Sequence, residues 1–70
     1  MHATISSQRV GKNLKRLIKE SKYRTQENFA DAAYADVRTV RRWIQHGVDS
    51  ITKVNELAQV LDVDVMALLD

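Results

Sequence analysis

An all-α domain of five short helices is what this sequence predicts, and three observations carry the expectation. Proline is absent, and Gly11 and Gly47 are the only glycines. Apolar residues recur at offsets of three and four along most of the chain. A residue suited to capping stands before each helical stretch from the second onward. With 70 residues and 44% hydrophobic content, the chain supports one domain around one small core, in a size range with little stability to spare. Cysteine is absent, and His2 and His46 lie far apart in sequence, so neither a disulfide nor a zinc site is expected to staple the fold. No metal or cofactor is expected. No apolar run approaches the roughly 20 residues of a membrane helix, and the amino terminus lacks the apolar centre of a signal peptide. A soluble, cytoplasmic protein is the expectation.

Residues 1–6 are small and polar and read as a flexible leader, leaving 7–70 as the domain. Val10, Leu14, Leu17 and Ile18 predict a first helix over about 7–22, with Lys12, Lys15, Arg16 and Lys19 turned to solvent. Thr25 can cap a second helix over about 25–33, and Asn28 makes an imperfect capping box. Phe29, Ala30 and Ala33 form its inner stripe. Asp36 suits the cap of a third helix, about 36–46, whose Val40, Trp43 and Ile44 face inward and which Gly47 can end in a left-handed conformation. Asp49 or Ser50 can cap a fourth, about 50–61, with Ile51, Val54, Leu57, Ala58 and Leu61 inside. A short closing helix within 63–69, capped by Asp64, would turn Val65, Met66 and Leu69 inward. A helix so near the end fits either a minimal domain or the amino-terminal part of a longer chain.

The formal net charge is only +2, yet the two parts of the chain differ sharply. Residues 1–42 hold ten Lys and Arg against four Asp and Glu, a balance of +6, whereas residues 43–70 hold one against five, a balance of −4. A domain polarised in this way has a cationic side, for which a polyanion is the simplest partner; the alternative is a solvated basic helix face. The second and third helices meet at a tight turn, and the third carries Arg38, Arg41 and Arg42. That order reads as a helix-turn-helix, in which a supported helix enters the major groove where base edges are distinguishable.

Three blocks in register resemble the Cro/repressor type of helix-turn-helix, the XRE or lambda-repressor-like family. They are Gln26-Glu-Asn-Phe29-Ala30, then Thr39-Val40-Arg41-Arg42-Trp43, then Val54-Asn-Glu-Leu57-Ala58-Gln-Val-Leu61-Asp-Val63. The resemblance covers about residues 8–69 and implies five helices of which the second and third read DNA. Tyr34 and Asp62 stand where that family commonly has glycine, and Asp49 replaces a frequent proline. Either Tyr34 and Asp62 adopt φ > 0, at about 1 kcal/mol each, or the turns are reshaped. Ile44 occupies a position usually polar, and Gly47 comes one residue later than in the family.

The resemblance implies base contacts from the start of the third helix. Arg38 is the first candidate and Arg42 the second, because a guanidinium fork matches O6 and N7 of guanine. Val37 can touch a thymine methyl. Backbone or mixed contacts are expected from Lys19, Thr25, Gln26, Thr39, Arg41, Ser50 and Lys53, with Arg16 and Lys22 as further phosphate candidates. Each has a plainer explanation: Thr25 and Ser50 as caps, Thr39 packed near the turn, the lysines as solubility, and the arginines as a solvated face paired with Asp31, Asp36 or Gln45. Trp43 belongs with the core rather than with a stacking platform, and His46 suits the last turn of its helix.

Sequence-specific binding of double-stranded DNA, as a transcriptional regulator acting as a homodimer on a pseudo-palindromic operator, is the leading expectation. The alternative is a protein-interaction module, such as an antitoxin or adaptor, that keeps the helical frame and uses its acidic half. An enzyme is not expected, since no nucleophile, base and orienter come together and no glycine-rich phosphate loop occurs.

Overall fold

A computed structural model describes residues 7–70; the expected leader, residues 1–6, lies outside them. Five helices follow one another: α1 (Ser7–Glu20), α2 (Gln26–Ala32), α3 (Val37–His46), α4 (Ile51–Leu61) and α5 (Met66–Leu69). Among the described residues there is no strand. The helices enclose one core built from Val10, Leu14 and Ile18 of α1, Phe29 and Ala30 of α2, Val40 of α3, Val54, Leu57, Ala58 and Leu61 of α4, and Leu68 of α5. α1 is the central element: it packs chiefly on α3 and α5 and also touches α2 and α4.

Local chemistry accounts for the boundaries. α1 stops two residues before the expected 22, because Ser21 takes the Ile18 carbonyl through both its backbone N–H (3.1 Å) and its hydroxyl (2.7 Å). Thr25 Oγ1 accepts from the Asn28 N–H at 3.1 Å, Asp36 Oδ1 from Arg38 at 2.8 Å, and Ser50 Oγ from Lys53 at 3.3 Å. Asp64 does the same for Met66 at 2.9 Å. Asn28, at the position where Glu would close a capping box, donates instead to the Tyr23 carbonyl at 3.0 Å.

Two helices end in the same way. Ala35 N–H donates to the Ala30 carbonyl and Tyr34 N–H to that of Asp31, with Tyr34 left-handed at φ 55°. Val63 N–H donates to Ala58 and Asp62 N–H to Gln59, with Asp62 at φ 58°. This is the Schellman arrangement, usually made with glycine at the left-handed position. Gly47 differs from the expected left-handed stop. Its φ of 88° with ψ of 179° is a combination nearly closed to residues with a side chain.

Two inward assignments are corrected. Ile51 is 49% exposed, because a side chain in the first turn leans past the helix start; Val48, in the preceding connection, fills the core there. Met66 is 51% exposed; Leu69 packs against the core as expected, and Leu68, not among the expected inward residues, is fully buried. The Asp64 cap fixes where this one-turn helix begins, and the Asn13 amide fixes its far end by donating to the Leu68 carbonyl at 2.8 Å.

The tightest approach joins α1 to the last turn of α3. A Cβ on Gly11 would lie 2.5 Å from the Ile44 carbonyl oxygen and 2.9 Å from that of Trp43. One on Gly47 would lie 2.1 Å from the carbonyl oxygen of Ser7, the first residue of α1. Backbone oxygens cannot swing aside as side chains do, so Gly11→Ala and Gly47→Ala are each expected to cost about 2–3 kcal/mol, lowering Tm by roughly 10 °C or more in a domain of this size. Thermal unfolding followed by circular dichroism reads this directly, and wild-type melting of Gly11→Ala would refute the close approach. The same experiment on Tyr34→Gly should move the other way, by about 0.5–1 kcal/mol. Tyr34 is 99% exposed and gains no packing to offset its left-handed backbone.

Candidate nucleic-acid interface

α3 divides its residues by side. Val40 is buried and Trp43 and Ile44 are half-buried against the core, whereas Arg38, Arg41, Arg42, Gln45 and His46 are exposed. Spacings of three and four place those five on one outer face, where they line a shallow depression of about 360 Å³. No carboxylate lines it. The side chains of Arg38 and Arg42 have no ion-pair partner among the described residues. Arg41 does, although not the one expected from sequence: its guanidinium lies 3.5 Å from Glu27 of α2, rather than from Asp31 or Asp36.

A second basin, of about 300 Å³, lies where α1 meets the start of α2 and is lined by Lys15, Ile18, Lys19, Arg24, Thr25, Gln26 and Glu27. Here Lys19, Thr25 and Gln26 come together, joined by two cations that were not among the expected contacts, Lys15 and Arg24. Arg24 owes its place to an unusual turn. Its φ is 68°, and Thr25 N–H donates across it to the Tyr23 carbonyl at 2.7 Å, closing a three-residue turn of a rare and strained kind. No glycine marks that position, so only the charge was legible. Tyr23 anchors the segment: its ring meets Phe29 edge-on at 5.8 Å and its hydroxyl donates to the Val60 carbonyl at 3.1 Å.

The remaining candidates are dispersed. Val37 is half-buried and lines an acidic hollow with Glu27, Ala30, Asp31, Ala35 and Asp36 rather than the arginine depression. Thr39 is half-buried, its N–H taken by the Asp36 carbonyl at 2.9 Å. Ser50 is a cap. Lys53 is already engaged, with its ammonium 2.9 Å from Glu56 and 5.4 Å above the Trp43 ring. Arg16 pairs with Glu20 at 3.5 Å, and Lys22 sits 5.5 Å from the Tyr23 ring. Trp43 therefore packs against the core with a cation over its outer face.

Two adjoining cationic surfaces can bind a polyanion, and the described residues contain no cluster of His, Cys, Asp or Glu that could hold a metal ion. No described helix is long and apolar enough to cross a membrane. On a heparin column, Lys19→Ala and Arg24→Ala should elute at lower salt than the wild type, each forfeiting about one ionic contact. Lys53→Ala should shift less, since Lys53 lines neither cationic depression; a larger shift than that of Lys19→Ala or Arg24→Ala would place the cationic surface elsewhere.

No family model matches this chain, and neither a curated protein nor a solved structure matches it.

Proposed function

We propose that this chain binds double-stranded DNA sequence-specifically and regulates transcription, with repression by occlusion as its simplest mode. α2 and α3 act as a lambda-repressor-like helix-turn-helix, and α3 lies in the major groove. One observation carries the reading. Arg38 and Arg42 stand one turn apart on the exposed face of α3, without ion-pair partners, while the opposite face of the same helix is fixed to the core. A bidentate contact from either to O6 and N7 of guanine discriminates by about 1–3 kcal/mol, and the neighbouring basin of Lys15, Lys19 and Arg24 supplies phosphate contacts that set register. Two copies on a pseudo-palindromic operator would place their half-sites about one helical turn apart. The chain has no catalytic role in this reading.

Selection from a randomised duplex library at fixed salt, run beside Arg38→Ala and Arg42→Ala, tests it. An enriched motif with two-fold symmetry is expected, and in one variant the preference at a single base should relax while the rest persists. Failure to enrich any motif, with both variants weakened equally on all sequences, would leave non-specific polyanion binding or a protein partner.

A further inference from the structure

Glu27 stands on the border between the cationic basin and the acidic hollow it shares with Asp31 and Asp36. It lines the basin that contains Lys15, Lys19 and Arg24, and its Oε2 reaches across to Arg41 of α3 at 3.5 Å. Their side chains are 65% and 52% exposed, so the pair adds little to stability and folding alone gives it no purpose. Its effect on a bound polyanion is larger. A carboxylate beside phosphate oxygens opposes every duplex alike, and the one α3 arginine it occupies lies next to the two that remain unpaired. Specificity is a difference of affinities, from which a term common to every duplex cancels; a phosphate contact adds to it only when it is made on the cognate site and withheld from the rest.

Building on the DNA-binding reading above, we propose that Glu27 is a positioning residue that sets specificity: it holds Arg41 in an ion pair and withholds that guanidinium from phosphates on non-cognate DNA. Arg38 and Arg42 stay available for base edges, and Arg41 reaches the backbone only when Glu27 lets go. The two residues should therefore be coupled in binding, beyond what their separate charges produce.

The test is a double-mutant cycle on the full 70-residue chain, comparing the wild type, E27Q, R41A and E27Q/R41A. Binding to a pool of random-sequence duplexes is followed by fluorescence anisotropy over a salt series. E27Q is expected to bind the pool roughly three- to tenfold more tightly and to steepen the salt dependence by about one unit, the signature of one added phosphate contact. R41A should cost more in the E27Q background than in the wild type. Additive effects, with E27Q tightening binding equally whether or not Arg41 is present, would reduce Glu27 to through-space repulsion and overturn the proposal while DNA binding stands. A wild type that does not bind the pool, or binds it without salt dependence, would overturn the DNA-binding reading and the role of Glu27 together. Unchanged circular dichroism of all four proteins excludes unfolding as the source of any difference.

Discussion

The contact of Gly11 with the carbonyls of Trp43 and Ile44 governs how the rest of the molecule is arranged. A glycine inside a helix costs about 0.5–1 kcal/mol relative to alanine, so its presence in α1 needs a compensating gain. That gain is the approach of two helix backbones, which lets Val40 reach the same core as Val10, Leu14 and Ile18. Gly47 makes a second such contact against Ser7, one residue beyond the end of α3. With its last turn clamped against the start of α1 and its first turn fixed to α2 through the Tyr34 turn, α3 has little freedom to roll. Its outer face is therefore a defined surface, which a guanidinium needs if it is to pair bidentately with a flat partner.

Charge follows from this placement. The basic residues belong to α1, the turn after it and α3, whereas Asp49, Glu56, Asp62, Asp64 and Asp70 belong to α4, α5 and their connections. Lys53, the one basic residue after Arg42, is neutralised by Glu56. The net charge of +2 hides a strongly polarised molecule, and a polarised molecule is turned by the field of a polyanion before contact is made.

The helices and most of the core were legible because periodicity and capping are local signals. Thr25, Asp36, Ser50 and Asp64 all accept the hydrogen bonds their positions imply, and the apolar stripes of α1, α2 and the later part of α4 are buried as spaced. What escaped is tertiary. Nothing in the pattern distinguishes Leu68 from Leu69 in a one-turn helix, and Val48 lies in a connection where periodicity has no meaning. The role of Gly11 depends on which backbone faces it, and the position of Arg24 depends on a strained turn made without glycine. At the candidate interface the arginine cluster was legible because three residues at helical spacing need no neighbour. The pairing of Arg41 with Glu27 was not, because it crosses between two helices whose relative rotation only the fold sets.

The size of α3 limits what one copy can do. Ten residues rise about 15 Å, which spans about four base pairs of groove at ~3.4 Å each. A sequence of that length recurs by chance about once in every 250 positions, far too often for a regulator facing a genome of roughly 10⁶ or more competing sites. Enlarging the interface through phosphate contacts does not help, since those strengthen binding everywhere equally. On the proposed function, specificity must come from joining two reading faces at fixed separation, which squares the rarity of the site, and from any phosphate contact reserved for the cognate site. The first falls to whatever surface pairs two copies of the chain; the second is the role proposed for the Glu27–Arg41 pair.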